Sequence, residues 1–501
     1  MLRLRQALSQ VEATKLKEIL PSVADKQEGA LYRALLAPIR RLPPEILSQV
    51  FILTEARTTL APKSQSELAS LGSVCTYWRT VSQNTPDVWG SLTLRITAGT
   101  YPRGVLQRLE LHLQRSRYLK VVLHLDDADI TQWQIYIQNL ISDYNGLLTV
   151  QEKLIKTLMQ HAPRIEDFIF CCCRGIVTDK EVLLPFFNHF GSHFQALKKL
   201  SLDASAWNTL VATVLNTFPG PPHLTSIHIS TLYNIKQISD GSAKFSQITN
   251  IEIGWVSAAG AFALLKHCPN VVSALFGIAF PDVEDEKLSE QSQLRLSCLE
   301  ALTISLPDDE WSIENLYICA FLDALALPAL VELSFLGVED VYDFHLLPRA
   351  FMPSILNMIV RSSAPVQKFR MERMPVSDAE LLALLVRIPK LSELVIGETD
   401  LNWQEPGKVV TTEFIRRLSS LRHLKLLVTN PWTEEHTSAI DAIFNSGLQS
   451  LYLQIENENV DLDRFRDMQR KGLAVRVVRK LPRGQLMTLL GYGLGDNGQE
   501  R

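Results

Sequence analysis

The stretch Leu197-Lys-Lys-Leu200-Ser-Leu202 has the spacing Leu-x-x-Leu-x-Leu, and the interpretation of most of the chain follows from it. Side chains two residues apart on a β-strand point to the same face. The spacing therefore places Leu200 and Leu202 inside and turns Lys199 and Ser201 outward. A short strand of this kind that recurs about every 20 to 30 residues is typical of repeat folds with parallel strands.

The same spacing returns along the rest of the chain. The other triplets are Ile165, Phe168 and Phe170; Leu224, Ile227 and Ile229; Ile248, Ile251 and Ile253; Val271, Ala274 and Phe276; Leu299, Leu302 and Ile304; Leu330, Leu333 and Phe335; Val366, Phe369 and Met371; Leu391, Leu394 and Ile396; Leu421, Leu424 and Leu426; and Leu448, Leu451 and Leu453. Their first residues are 23 to 36 positions apart, so the repeat is irregular. Each triplet predicts one short strand.

The intervals between the triplets have helical character. Ser377 and Glu380 form a capping box ahead of the apolar positions Leu381, Leu384 and Ile388. Prolines, which cannot continue a helix, stand just before several triplets, at Pro163, Pro269, Pro328, Pro365 and Pro389. Because one helix–strand unit cannot bury its apolar face alone, neighbours must stack. Residues 105–480 are therefore predicted to form an irregular α/β solenoid with a parallel sheet on its concave face.

Composition narrows the class of protein. Of 501 residues, 46% are hydrophobic and 21% are charged, which excludes wholesale disorder and predicts roughly two to four folding units. Fifty basic residues against 54 acidic ones leave a formal charge of −4. The electrostatic footprint of a nucleic-acid-binding protein is absent, so no nucleic-acid partner is expected.

Cysteine content and hydropathy predict a cytoplasmic or nuclear protein. Seven cysteines are few and odd in number, unlike a secreted disulfide framework. Met1 to Leu20 contains charged residues throughout, so no signal peptide is predicted, and no stretch is apolar enough to cross a bilayer. The consecutive Cys171, Cys172 and Cys173 suit a buried strand better than a metal site. No metal, no cofactor and no membrane partner are expected.

The two ends of the chain are predicted separately. Residues 1–36 read as a helix, with Leu4, Leu8, Val11 and Ile19 near one face. The heptads are too few to separate a short coiled coil from a docking helix, and both interpretations stay open. Residues 481–501 are predicted to be a flexible tail.

A different pattern occupies residues 37–95. Leu42-Pro43-Pro44-Glu45-Ile46-Leu47 opens a helix whose proline suits the first helical position. A polar loop, Thr54 to Ser66, precedes a second apolar helix, which carries Leu68, Leu71, Val74, Cys75 and Trp78. Thr85-Pro86-Asp87-Val88-Trp89 follows, and then Leu92 and Leu94 stand at strand spacing.

Together these segments resemble an F-box, of the kind abundant in mushroom-forming fungi. Residues 105–480 resemble the leucine-rich-repeat half of many F-box proteins, although the repeat's usual asparagine position is not evident. The resemblance implies an all-α domain of three helices that binds a Skp-type adaptor of a cullin complex, followed by repeats that hold a target protein. The chain would then be a non-catalytic adaptor of a ubiquitin ligase.

An F-box is too small to hide every apolar side chain, and the surplus is what a partner covers. The residues expected at the adaptor-binding surface are Leu42, Pro43, Pro44, Ile46, Leu47, Val50, Leu71, Val74, Cys75 and Trp78. Outward strand positions are expected to contact the target, which this sequence does not identify. The candidates there are His228, Glu252, Arg370, Arg422, Lys425 and Tyr452.

Two other function classes stay open. A scaffold with the same domains would bind its partners without directing ubiquitin transfer. An enzyme would need a catalytic constellation, and the candidate motifs are weak. Gly493-x-Gly495-x-x-Gly498 lacks room for the helix that a dinucleotide fold requires after it. His189 and His193 have ligand spacing, but Gly191 lies between them and no glutamate does.

Overall fold

The structure is a computed structural model. It describes residues 10–22, 42–54, 58–60, 67–96, 104–125, 150–172, 193–203, 222–232, 245–278, 293–306, 316–337, 350–374, 376–397, 421–428, 447–455, 462–480 and 486–490, and the positions 29, 32–33, 36–37, 39, 438 and 441–442. The chain divides into two compact units, Met1–Leu224 and Thr225–Arg501.

The first unit combines a helical domain with a parallel sheet. Its helices are α1 Gln10–Ile19, α2 Pro44–Leu53, α3 Glu67–Val74, α4 Thr76–Gln83, α5 Val105–Arg115 and α6 Val150–Met159, with 3-10 turns at Leu20–Ser22, Pro86–Trp89 and Ala162–Arg164. Its strands are β1 Thr58–Leu60, β2 Ser91–Ile96, β3 Leu119–Leu125, β4 Ile165–Cys172 and β5 Lys199–Asp203. Each strand pairs in parallel with the next one along the chain.

The second unit repeats strand and helix. Its strands are β6 Ser226–Ile229, β7 Asn250–Val256, β8 Ser273–Ile278, β9 Leu294–Arg295, β10 Ala301–Ser305, β11 Leu325–Ala326, β12 Glu332–Leu336, β13 Lys368–Glu372, β14 Glu393–Gly397, β15 His423–Val428, β16 Ser450–Ile455, β17 Ala474–Lys480 and β18 Leu486–Leu490. Its helices are α7 Ala258–His267, α8 Leu316–Ala324, α9 Phe351–Ser362, α10 Asp378–Leu385 and α11 Leu462–Arg470. Successive strands from β6 to β17 pair in parallel, except that β9 and β11 pair only with each other.

The strands lie where the triplets predict them. All residues of the eleven triplets are buried except Leu448, which is half-buried. On β5, Leu200 and Leu202 are buried, whereas Lys199 is exposed and Ser201 is half-buried. The capping box of Ser377 and Glu380 begins α10 as the sequence indicates. The period-two pattern therefore predicts both the strands and their inward faces.

Several predictions need correction. The expected loop from Thr54 to Ser66 contains β1, which pairs with β2, so the helical domain is not all-α. Its second helix is interrupted at Cys75, which ends α3 and caps α4. The expected flexible tail contains β18, which pairs antiparallel with β17. Strand β3, with buried Leu119, Val121 and Leu123, was not predicted.

The described residues cover some of the other predictions only in part. Within the predicted helix of residues 1–36, α1 is present, and Val11 and Ile19 on it are exposed. Leu4 and Leu8 lie outside the described residues, as do His189, Cys173 and the glycines at 493, 495 and 498. Cys171 lies on β4 and is half-buried rather than buried.

Two glycines allow neighbouring strands to approach. A Cβ atom at Gly277 would overlap the Gly254 carbonyl oxygen on the adjacent strand. At Gly337 a Cβ atom would overlap the carbonyl oxygen of Arg373, and Arg373 itself has a left-handed φ of 57°. Any larger side chain at either position would push the strands apart.

The helical domain of the first unit packs against helix α5 through Trp89. Trp89 packs edge-on against His112 of α5 at 5.7 Å between ring centroids, and Arg115 lies 4.7 Å from the same indole ring. His112 is fully buried, and neither of its ring nitrogens has a hydrogen-bond partner. Burial lowers the pKa of His112 to about 4. The imidazole is therefore neutral at pH 7 and acts as an apolar spacer.

The described part of the chain contains neither a membrane-spanning helix nor a metal-binding group of side chains. Within it, no helix is both long and apolar enough to cross a bilayer. No group of three or more His, Cys, Asp or Glu side chains in these residues is arranged to hold a metal ion.

Replacing Leu200, Leu333, Leu394 or Leu424 with alanine should lower the free energy of unfolding by about 2–5 kcal/mol, because each is almost fully buried and its removal leaves a cavity. Urea denaturation monitored by circular dichroism measures the loss. Alanine at the exposed Val386 provides a control of similar chemistry. Unchanged stability in the buried variants would contradict the packing described here.

Replacing His112 with leucine should remove a pH dependence of stability. The folded-state pKa lies below the unfolded value, so the unfolded chain binds the proton more strongly and folding stability falls as pH drops below 6.5 towards 4. Between pH 7 and pH 5 the difference amounts to about 2 kcal/mol. The unfolding free energy of the His112→Leu variant should therefore fall less over that range than that of the wild type. His223→Gln, at an exposed position, controls for the loss of a histidine, and identical pH profiles in wild type and His112→Leu would refute the assignment.

Candidate functional site

Two prolines set the start of helix α2. Pro43 is the N-cap residue, with φ −54° and ψ 151°, and Pro44 occupies the first helical position. The first helical amide has no partner within a helix, so proline loses nothing there and its fixed φ favours the helix. The Leu47 N–H donates to the Pro43 carbonyl oxygen at 3.0 Å, closing the first turn.

The helical domain is held together by a small apolar core. Leu47, Phe51, Val81 and Val88 are buried together, and the Trp78 ring meets Phe51 edge-on at 5.0 Å between centroids. The Trp78 indole nitrogen is buried without a hydrogen-bond partner. Trp78 is therefore mainly a core residue that supports helix α2 from behind.

Residues around the break between α3 and α4 lock the two helices. The backbone N–H of Trp78 donates to Cys75 Sγ at 3.5 Å. The Arg79 side-chain Nε donates across the break to the Gly72 carbonyl oxygen at 2.8 Å. Tyr77 reaches back to the segment before α2, where its Oη donates to the Leu42 carbonyl oxygen at 2.9 Å. Burial is the main cause that raises the pKa of the Tyr77 hydroxyl group, and the charge of the nearby Glu45 raises it further.

Apolar side chains remain exposed on α2 and at the end of α3. Ile46 is 51% exposed, Leu53 is 79% exposed and Val74 is 46% exposed. Ile46, the half-buried Val50 and Leu53 are spaced i, i+4 and i+7, so they share one face of α2. This face, with Val74, is named the exposed apolar patch.

The ten residues predicted at the adaptor-binding surface divide by burial. Pro43, Pro44, Ile46 and Val74 are exposed, and Leu42, Val50, Leu71 and Trp78 are half-buried. Leu47 and Cys75 are buried and would need the domain to open before they met a partner. They can only support the surface. Leu53 is not among the ten, and its i+7 spacing from Ile46 is the sequence signal that places it on the same exposed face.

A groove adjoins the end of α2. It has a volume of about 630 Å³, and Ile52, Leu53, Tyr118, Val122 and Ile169 are among the residues that line it. Asp167 also lines it, and burial raises the pKa of that carboxyl group, against a lowering effect of Lys199 and Lys120. Leu53 thus belongs to both the exposed apolar patch and the wall of this groove.

The predicted target-contact residues come together in the second unit. The register aligns His228 with Glu252, and continues through Leu275, Thr303, Ser334, Arg370, Val395, Lys425 and Tyr452 to Arg476. Five of the six predicted residues therefore occupy one row across the sheet, named the middle row. Arg422 does not, because it precedes β15. Arg476 belongs to the row and was missed. Ser334 and Val395 of this row are buried, and its other members are half-buried or exposed.

Charges along the middle row are arranged in distinct ways. His228 Nδ1 lies 3.1 Å from Glu252 Oε2, and Arg370 Nε lies 2.8 Å from Glu372 Oε1. Lys425 Nζ lies 5.0 Å from the Tyr452 ring centroid, and Arg476 Cζ lies 6.0 Å from the same centroid. The row therefore carries a close His228–Glu252 contact between β6 and β7, a salt bridge on β13 and cation–π contacts towards β17.

Buried thiols in the second unit are poor nucleophiles. Cys268 follows α7 and is buried, which raises its pKa to about 12. Burial also raises the pKa of Cys319 on α8. Neither thiol forms the thiolate readily at neutral pH.

Comparison with known families identifies the helical domain. The F-box-like family model matches residues 39–95, which is the segment that contains α2, α3, α4 and the exposed apolar patch. Residues 39–95 are an F-box-like domain. No curated protein matches the chain.

One solved structure that shows some likeness is a crystal structure of a protein from Bacteroides fragilis. It is 15% identical, the match covers 56% of this chain and 65% of that protein, and the TM-score is 0.27. A likeness at that level carries no argument about the repeat region, whose description rests on the strands themselves.

Replacing Tyr77 with phenylalanine should lower the stability of the F-box by about 0.5–1.5 kcal/mol, because it removes the hydrogen bond to the Leu42 carbonyl oxygen and leaves the ring in place. Chemical denaturation measures the change. Tyr118→Phe, at a ring that is about half exposed, should have no such effect. Equal effects of the two substitutions would show that the Tyr77 hydrogen bond contributes nothing.

Proposed function

We propose that this chain is the substrate-recognition subunit of a Skp–cullin–F-box ubiquitin ligase. The observation that carries the proposal is the F-box-like domain at residues 39–95. F-box domains bind Skp-type adaptors in general. The chain would itself be non-catalytic and would act by holding a target close to the ubiquitin-charged enzyme, which raises the effective concentration of the reacting groups.

The exposed apolar patch is the proposed contact with the Skp-type adaptor. Ile46 and Val74 expose about half of their side-chain surface, and Leu53 exposes more. An apolar face with little cover is destabilising in water and favours association with a partner that covers it. Leu42 and Pro44 would contribute by setting the start of α2, while Leu47 and Cys75 hold the face in position from inside.

The repeats are proposed to form an irregular leucine-rich-repeat-like solenoid whose parallel sheet lies on the concave face. Parallel pairing in the second unit and the buried strand positions of its triplets support this shape. The middle row would then lie on the surface that receives the target. His228, Glu252, Arg370, Lys425 and Tyr452 remain proposed target contacts, and Arg422 is a candidate at the margin.

A scaffold that binds the adaptor without directing ubiquitin transfer is the alternative. A scaffold would use the same F-box-like domain. The two functions therefore differ in whether a cullin belongs to the complex and whether a target is ubiquitinated. Association with a cullin in a cell extract, and target ubiquitination that depends on this chain in a reconstituted reaction, would support the ligase. Adaptor binding with no cullin in the complex would support the scaffold.

Replacing Ile46 with aspartate should weaken binding to a purified Skp-type adaptor by about a hundredfold, or about 2.8 kcal/mol, because the interface loses an apolar contact and must desolvate a charge. The side chain is half exposed, so the fold should survive, and circular dichroism checks this. Isothermal titration calorimetry measures the affinity.

Leu111→Asp is the matched control for that experiment. Leu111 lies on α5, is 42% exposed and lies outside the exposed apolar patch. It should bind the adaptor as the wild type does. If the wild-type chain showed no adaptor binding at micromolar concentration, the ligase and the scaffold proposals would both fail.

A further inference from the structure

The outward face of the sheet in the first unit is mostly polar. On β2 to β5 the residues that face the core are buried, and the alternate residues point to the opposite face. The outward residues of these four strands are Ser91, Thr93, Arg95, Lys120, Val122, His124, Asp167, Ile169, Cys171, Lys199, Ser201 and Asp203. Val122 and Ile169 are the two aliphatic side chains among them.

Val122 and Ile169 lie side by side in the groove at the end of α2. The register places Val122 of β3 opposite Ile169 of β4, with Thr93 of β2 on the other side of Val122. Both aliphatic side chains are half-buried and line the groove, whose volume is about 630 Å³. They form its apolar floor. Apolar surface that stays in contact with water favours a partner that covers it.

The wall of the groove belongs to helix α2 and to the segment before β3. Ile52 is half-buried and Leu53 is 79% exposed at the end of α2, and Tyr118, 47% exposed, precedes β3. Leu53 is also a member of the exposed apolar patch. The patch and the groove therefore form one continuous surface, which begins on the F-box-like domain and ends on β4.

The charged groups at the rim of the groove are largely matched. Lys198 Nζ lies 2.9 Å from Glu166 Oε1, and the register places Asp167 between Lys120 and Lys199. Burial raises the pKa of the Asp167 carboxyl group, and these two lysines act against that rise. The rim thus gives little preference for a strongly acidic or a strongly basic segment. The apolar floor and wall determine what fits.

The size of the exposed apolar patch also favours an interface that continues into the groove. A stable interface buries about 800 Å² on each partner, and somewhat more than half of that area is apolar. A completely covered aliphatic side chain supplies about 60–120 Å². The four residues of the patch are already partly buried and supply at most about half of the apolar area. Pro43 and Pro44 extend this surface at the start of α2, and the groove extends it at the end.

We infer that the interface with the Skp-type adaptor extends beyond the F-box-like domain, and that an apolar segment of the adaptor occupies the groove against Val122 and Ile169. The inference rests on the proposed function and adds a contact between the adaptor and the strands that follow the F-box. Continuity through Leu53 selects the adaptor as the occupant, because a partner that covers the exposed apolar patch also reaches the groove. The adaptor would then bind α2 and strands β2 to β4 as one surface.

Isothermal titration calorimetry with the full-length chain and a purified Skp-type adaptor tests the inference. The double variant Val122→Thr, Ile169→Thr keeps the β-branched shape that suits a strand and removes apolar surface from the floor. It should lower the affinity about tenfold. Tyr118→Ala changes the exposed wall, where the fold is less at risk, and should lower the affinity about fivefold. Circular dichroism checks that each variant is folded.

A matched double variant separates the groove from apolar surface in general. Val360 and Val386 are 56% and 65% exposed, on α9 and just after α10. Val360→Thr with Val386→Thr also shortens the apolar surface at two positions and should leave the affinity within about twofold. Equal losses in the two double variants would overturn the inference, as would unchanged affinity in both groove variants.

Photo-crosslinking provides a direct test of proximity. A photoreactive phenylalanine analogue in place of Tyr118 should attach to the adaptor when the complex is irradiated. The same analogue in place of Leu111, which is 42% exposed on α5 and does not line the groove, should not. Attachment at both positions or at neither would overturn the inference.

The remaining outcomes separate this inference from the proposed function. Groove variants that keep full adaptor affinity but no longer support ubiquitination of a target would assign the groove to the target and overturn this inference alone. Adaptor binding that is lost in Ile46→Asp and unchanged in both groove variants would support the proposed function and confine the interface to the F-box-like domain. A wild-type chain that does not bind the adaptor at micromolar concentration would overturn both.

Discussion

In the second unit, the buried side chain on one strand lies at the same register position as the buried side chain on the next, as in Leu394, Leu424 and Leu451. Parallel pairing brings these residues into rows, and each row is completed only by the neighbouring strand. The alternate residues are turned outward by the same two-residue period. The inward rows make the core, and the outward rows lie on the opposite face of the strands.

This constraint explains features that are otherwise unrelated. Gly277 must lack a side chain because the Gly254 carbonyl oxygen on the adjacent strand occupies the position of its Cβ atom. The middle row is straight in register, so residues more than two hundred positions apart in sequence, such as His228 and Tyr452, share one line on the sheet. A surface assembled in this way can change its outward side chains without disturbing the inward ones.

The F-box-like domain packs around its own small core and is joined to the sheet of the first unit. Its own core is only a few residues, and α2 consequently keeps Ile46 and Leu53 exposed. Beyond the core, β1 and β2 continue into the sheet of the first unit, and Trp89 packs on His112 of α5. Changes at this contact would therefore affect the stability of the F-box and the adjoining strands together.

The amino-acid sequence by itself determined the start of α2 and the strands that carry the triplets, together with the inward faces of those strands. Each depends on local spacing: Leu-x-x-Leu-x-Leu for these strands and Pro44 for the helix. Only the tertiary structure decided which apolar residues of α2 face solvent. Leu47 and Ile46 are adjacent and equally apolar, and packing against Phe51 and Val81 buries the first alone. The pairing of β1 and β18, and the position of Arg476 beside Tyr452, likewise depend on strands distant in sequence, which no local pattern specifies.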